Sequence, residues 1–380
     1  MLPSGIQAKR GWTPDPFDVA QGRGERKSNH DKTFGGDILG WNGRISQRTM
    51  RKIFALLFML PLALCLVELR SAEAQKLRVA WTAVSALNAP YWIMKDGGFF
   101  KQEGLDVDLV YIPSSTVVAS AMLAGEAAIS TANSQVVVDS GLQGSDLVII
   151  GGVVNVAAFY IMAVPEVKSV QDLKGKPVGI TRFSASTDFS VRMLLKKYGL
   201  EPVRDVPILQ IGGMPEIAAA LSKKTIYAAP MSYPMGYIAQ QAGMKLISNL
   251  AKEDIPFVHV AITTTRRFMQ EHRNQAKAVV RAYGRAIHFM HTKKEDFKKI
   301  MSRYTKVNDP EMLDGSVQYA YDFLEKIPLV RPAAIQVNLD EAAHRNPKAK
   351  QVKVEQFYDN SIVQELINEG FFASLWGKNP

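Results

Sequence analysis

The chain has 380 residues, 47% of them hydrophobic, enough for about two domains with packed cores at ~100 to 200 residues each. Its formal net charge of +10 divides unevenly: residues 1–74 carry 11 Lys/Arg and 7 Asp/Glu, leaving 35 and 29 beyond them, a net of +6 spread over 306 residues. So diffuse an excess is a solvated surface rather than a nucleic-acid face, and a single cysteine, Cys65, excludes a disulfide framework.

Residues 1–49 are rich in Arg, Gly, Asp and Asn and hold no periodic apolar pattern, which predicts an unstructured or non-native extension. Met50-Arg51-Lys52, the apolar run Ile53 to Val67 and the small-x-small exit Ala72-Glu73-Ala74 then describe a secretory signal peptide over 50–74. The apolar run is 15 residues long, below the ~20 that span a bilayer as a helix. Translation is therefore expected to begin at Met50, and Cys65 to leave with the signal. Leu64 beside that cysteine lacks the small side chain a lipid anchor needs. The mature protein is expected to be cysteine-free and periplasmic.

From Leu77 onward strands and helices alternate, as in a parallel sheet covered by helices. Strands are expected over Leu77 to Trp81, Leu105 to Tyr111, Ala128 to Ala132 and Leu147 to Val154. Between the first two, Tyr91 to Lys95 form a helix that Gly97-Gly98 stop, and Gly104 turns the chain into the next strand. A second α/β unit follows near Pro165: strand Pro177 to Thr181, helix Asp188 to Tyr198, strand Val206 to Ile211, helix Pro215 to Leu221, strand Ile226 to Ala229 and strand Leu246 to Ser248. Two extended segments, Phe159 to Val164 and Val258 to Thr263, bracket it, the two crossings a hinged clamshell needs. The remainder is helical: a long helix from about Asn274, then Phe297 to Tyr304, Glu311 to Ile327 and Val354 to Ile367. This assigns 75–163 plus 263–380 to a first lobe and 164–262 to a second.

Catalytic patterns are missing: the chain holds no nucleophile elbow, phosphate loop, dinucleotide fingerprint or zinc-protease pair. His288 and His291 stand three apart on a helix without a third ligand nearby in sequence, so no metal and no cofactor is expected. Binding chemistry recurs instead in loops that lead from strands into helices. Ser85 and Asn88, then Ser114, Ser115 and Thr116, then Asn133 and Ser134 lie in the first unit; Ser184, Ser186, Thr187, the Gly212-Gly213 pair and Ser232 lie in the second. Open α/β sheets bind ligands outside the carboxyl ends of their strands, and helix starts there offer N–H groups and a positive dipole end. Each residue alone reads equally as an ordinary N-cap; the recurrence across both units makes the case. Arg182 follows a strand end and suits a two-pronged grip on a carboxylate, sulfonate or phosphate, or else points outward into solvent. Tyr91 or Trp92 is expected to line the cleft, the other to sit in the core.

The stretch Ala89 to Asp108 resembles the N-terminal signature of substrate-binding proteins of ABC importers, in the nitrate, sulfonate, taurine and thiamine-precursor group. Met122 to Ser130, Val170 to Gly179, Ser184 to Asp188, Glu216 to Leu221 and Tyr358 to Ser361 are similar to later segments of the same group. Ala128, Lys224 and Tyr227 depart from its usual residues, which unsettles any transfer of ligand specificity. The resemblance implies a type II periplasmic binding protein: two α/β lobes joined by two hinge crossings, with C-terminal helices. It implies a monomer without enzymatic activity that captures a small anionic or polar organic ligand and delivers it to an ABC permease. The alternatives are a periplasmic enzyme or a sensor on the same fold, including a protein like the thiamine-pyrimidine synthase. That enzyme needs a histidine in its first-lobe site, and this chain has none between Lys76 and Val258.

Overall fold

The computed structural model describes residues 76–377, Asp254 aside. The expected extension over 1–49, the signal segment 50–74 and Cys65 lie outside the described residues. Among the described residues no helix is long and apolar enough to cross a membrane.

Two five-stranded sheets organise the chain. The first takes β1 (Leu77–Trp81), β2 (Val107–Tyr111), β3 (Ile129–Ser130), β4 (Leu147–Val156) and, much later, β10 (Pro256–Thr265), in the order β2-β1-β3-β10-β4. Here β1 runs parallel to β2 and β3, while β10 inserts antiparallel between β3 and β4. The second takes β5 (Tyr160–Ala163), β6 (Val178–Ile180), β7 (Ile208–Gln210), β8 (Ala228–Met231) and β9 (Lys245–Asn249), in the order β7-β6-β8-β5-β9. The parallel trio β7, β6 and β8 is extended beyond β8 by β5, which runs antiparallel to it, and then by β9, which pairs antiparallel with β5.

Each sheet with its helices is one lobe, and the chain passes between them twice. The segments expected to be the crossings are strands of the sheets themselves. The passages fall at 157–159 and 250–255, ahead of the limits 163/164 and 262/263 read from sequence.

Helices cover both faces of the first sheet, and the burial follows the two-residue period of a strand. Val79, Ile150 and Ile262 enter a core shared with the helices Ala89–Asp96, Arg273–Thr292, Lys294–Thr305 and Pro310–Phe323. Their neighbours Ala80, Ile149 and Ala261 point the other way, into a core shared with Ser115–Leu123, Ser134–Gly141 and Pro332–Ala343. The second lobe has its own core, in which Phe189, Ile217 and Phe257 are buried.

Three helical assignments differ from expectation. Pro332–Ala343 is a helix that Pro332 starts at its first turn, where the missing proline N–H costs nothing. Met235–Gln241 is another, too short and too mixed to show a periodic face. The expected helix Val354 to Ile367 breaks into a 3-10 turn, Val354–Gln356, and the helix Ser361–Asn368, because Tyr358 bridges to Ile149 on the sheet between them.

Candidate functional site

A cavity of about 100 Å³ lies where the carboxyl ends of strands from both sheets meet. The first lobe supplies Thr82 to Ser85 after β1 and Pro113 to Ser115 after β2; the second supplies Thr181 and Arg182 after β6, Gly212 and Gly213 after β7, and Ser232 after β8. Phe159 from the first passage and His259 with Val260 from β10 complete the lining.

The loops are held by their own short side chains. Ser85 Oγ accepts from Leu87 N at 3.3 Å, and Ser114 Oγ from Thr116 N at 3.4 Å. Ser114 adopts φ +83, a region that non-glycine residues rarely hold. In the second lobe Thr187 Oγ1 accepts from Thr181 N at 3.0 Å and lies 2.8 Å from Thr181 Oγ1, folding the loop over the start of the helix Ser186–Lys197. Asp188 completes that fold, accepting from Ser184 N at 2.9 Å and from Arg192 Nε at 2.7 Å. Gly212 takes φ +131, open to glycine alone, and turns β7 into the helix Met214–Ser222. The N-cap residues of these two helices, Ala185 and Gly213, give no side-chain hydrogen bond to the first turn. Both helix starts therefore present unsatisfied donors at the cavity wall.

Three buried polar groups of the lining have no hydrogen-bond partner: Asn88 Oδ1, Ser232 Oγ and His259 Nδ1, on residues 2%, 2% and 8% exposed. His259 lies against Phe159, ring centroids 4.2 Å apart, and against Phe257 at 6.1 Å. Burial among these rings lowers its pKa to about 3, so the imidazole is neutral at physiological pH. Arg182 is exposed at the rim and, the only charged side chain in the lining, has no partner among the described residues.

The lobes touch around the cavity. Ala86 N donates to Tyr233 O at 3.2 Å, Thr116 Oγ1 to Phe183 O at 2.9 Å, and Lys196 pairs with Glu341. This is a closed arrangement in which Asn88, Thr187, Ser232 and His259 are buried while Tyr111, Pro113, Arg182 and Pro215 stay exposed at the rim.

Eight sequence-predicted residues meet at the cavity: Ser85, Asn88, Ser114 and Ser115 from one lobe, Arg182, Ser186, Thr187 and Ser232 from the other. Six do not. Neither Tyr91 nor Trp92 lines the cleft; both are fully buried beneath the C-terminal helices. Tyr91 Oη donates to Ala261 O at 2.9 Å, and Trp92 stacks on Tyr304 with centroids 4.8 Å apart. Asn133 caps its own helix through Val136 N at 3.0 Å, and Ser134 Oγ reaches back to Val258 O at 3.4 Å; neither lines the cavity. Thr116 clasps the opposite lobe. Ser184, at φ +61, turns into a separate crevice beside Asp139 and Arg345. The aromatic residues at the cavity are Tyr111 and Phe159, which sequence reasoning missed together with His259. Tyr111 ends a strand and could have been found by that position; His259 sits mid-strand and carried no local signal. His288 and His291 both stand edge-on to Trp376, in the core-flanking helices.

Comparison with known proteins places the chain. The family described as NMT1/THI5 like matches residues 87–296. The chain belongs to the NMT1/THI5-like family. Within solved structures, the alkanesulfonate-binding protein SsuA of Xanthomonas axonopodis pv. citri, bound to MOPS, superposes with a TM-score of 0.63 at 17% identity, covering 76% of this chain and 96% of that one. The periplasmic nitrate-binding protein NrtA of Synechocystis PCC 6803 gives 0.65 at 15% identity, covering 78% and 89%. YtlA of Bacillus subtilis (strain 168), a binding protein by provisional name, is 21% identical over 275 residues, 70% of this chain and 80% of that protein. The fold is thus that of the periplasmic binding proteins, two α/β lobes around a cleft.

Proposed function

We propose that this protein is an extracytoplasmic solute-binding protein that closes its lobes over one small anionic or polar organic molecule and delivers it, without catalysis, to an ABC permease. The observation that carries the reading is the buried interlobe cavity, walled by strand ends and helix starts and holding three buried polar groups without partners. Such groups cost stability unless something hydrogen-bonds to them, and a captured solute supplies that partner. Ser85, Asn88, Ser114, Ser115, Arg182, Ser186, Thr187 and Ser232 are its proposed contacts, joined by Tyr111, Phe159 and His259. The contacts between lobes favour a closed form that a permease reads as loaded. The named ligands of the structural relatives, an alkanesulfonate and nitrate, support a small solute of this kind. Export through the segment 50–74 belongs to the same proposal; N-terminal sequencing of the cellular protein should begin at Gln75, and a chain that retains residues 50–74 would count against it.

A thermal-shift screen of the purified protein tests the binding reading. A solute at 100 times its Kd stabilises the native state by about 2.7 kcal/mol, which moves Tm by roughly 4 °C in a protein of this size. If sulfonates, carboxylates, nitrate, amides and heterocycles all leave Tm unmoved, the cavity is not a solute site.

A further inference from the structure

The lining of the cavity is almost devoid of charge. Arg182 alone carries one, and it stands exposed at the rim, so the buried floor has no fixed cation to balance an anion taken out of water. An isolated ionised group in such a place loses its hydration without a counter-charge.

The buried partnerless groups also ask for something an oxyanion cannot give. Asn88 Oδ1 is an acceptor, and a neutral imidazole such as that of His259 always presents one acceptor nitrogen. Sulfonate, nitrate and carboxylate have no proton to donate to them. Against these acceptors stand donors: the Ser232 hydroxyl and the first-turn N–H groups of the helices Ser186–Lys197 and Met214–Ser222. Donors and acceptors thus share one small enclosure, and apolar surface from Phe159, Met214 and Val260 adjoins them.

We propose that the cavity selects an uncharged amide-type solute, a primary carboxamide or a urea on a small apolar body. Its carbonyl oxygen accepts from the helix-start N–H groups, and its N–H donates to Asn88 Oδ1 and the free nitrogen of His259, while the apolar body packs on Phe159 and Met214. A primary amide or urea carries two N–H groups for these two acceptors and a carbonyl for the donors, Ser232 Oγ among them, whereas the charged isostere presents only oxygens to Asn88 Oδ1 and to the acceptor nitrogen of His259. At about 100 Å³ the cavity far exceeds the ~10 to 15 Å³ that holds one water and suits a molecule of this size. The inference rests on the reading of the cavity as a solute site.

Amide and carboxylate pairs of one shape isolate the charge: benzamide with benzoate, nicotinamide with nicotinate, and benzenesulfonamide with benzenesulfonate. Thermal shift and titration calorimetry on the full purified protein should show each uncharged member binding at least tenfold more tightly than its anion. Asn88→Ala and His259→Phe should each weaken the amide at least tenfold, with apo melting curves confirming the fold; His259→Gln replaces His259→Phe if the latter does not fold. Anions that bind as tightly as their amides overturn the inference and leave the solute-binding function standing. Silence from every pair up to about 10 mM, beyond the millimolar range of weak complexes, with taurine and nitrate silent too, overturns the inference and the proposed function together.

Discussion

His259 gives the fold a built-in acid sensitivity that can be worked out from its surroundings. The ring is 8% exposed, packed against Phe159 and Phe257, and burial holds its pKa at about 3 against an ordinary 6.5. The folded state therefore prefers the neutral imidazole, while the unfolded chain takes up a proton as pH falls through 6.5. Because the folded pKa is depressed, the stabilisation is complete above about pH 6.5 and is lost progressively between there and pH 3. At pH 5 the unfolded state gains RT ln(1 + 10^1.5), about 2 kcal/mol, from this one group. Replacing the ring with a benzene ring, His259→Phe, keeps the stacking and removes the proton acceptor. Urea unfolding at pH 7.5 and pH 5.0 should show the parent losing about 2 kcal/mol more than the variant over that interval, close to 1 M in midpoint for ordinary urea slopes. At pH 7.5 the variant should be as stable as the parent or slightly more so, since the partnerless Nδ1 is gone. His291, stacked on Tyr321, has its pKa lowered by partial desolvation first and by Lys326 next, so it adds to the acid loss equally in both proteins. Equal losses in parent and variant would refute the assignment of His259 as a buried neutral group.

Three further outcomes follow from the placement of single residues. Trp92→Ala removes a fully buried indole stacked on Tyr304 and should cost about 3 to 5 kcal/mol in chemical denaturation; a loss of affinity with stability intact would return Trp92 to the cleft. Asn133→Ala deletes a helix cap and should lower stability by about 1 kcal/mol while calorimetry finds ligand affinity unchanged. Gly315 lies in the helix Pro310–Phe323 against Tyr233 of the opposite lobe, where an added Cβ would stand 2.1 Å from the Tyr233 Oη. Gly315→Ala should therefore hinder closure: affinity falls several-fold and small-angle scattering of the liganded protein shows a larger radius of gyration. Its melting temperature holds or rises, because alanine favours the helix by up to about 1 kcal/mol. Unchanged affinity would show that the lobes close without this contact.

Most of the fold was legible in the sequence, since strand and helix leave local signatures. The strand expected over Leu77 to Trp81 is found there, and the strand–helix rhythm announced two α/β units. The opening stretch shows where this stops. Ala89–Asp96 forms the expected helix, Gly97 caps it at the C-terminus, and Gly98 at φ +77 starts the next turn. Local pattern says that such a helix has one apolar face; it does not say what else will cover it. The helices Arg273–Thr292 and Lys294–Thr305, some two hundred residues away in sequence, pack on that helix and bury Tyr91 and Trp92 on every side.

The site divides along the same line. Hydroxyl and amide residues after strand ends are a local feature, because those loops must cap the following helix, and so Ser85, Asn88, Ser114, Thr187 and Ser232 could be read directly. His259 could not, because a mid-strand histidine acquires its role only when β10 returns from the second lobe and inserts antiparallel between β3 and β4, beside Phe159. Sequence by itself determined two α/β units and most of the loops that line the interlobe cavity, through short-range periodicity and capping. Tertiary structure alone decided which aromatic rings are core, which polar atoms are left without partners, and how little charge the cavity holds, because burial and desolvation are set by neighbours distant along the chain.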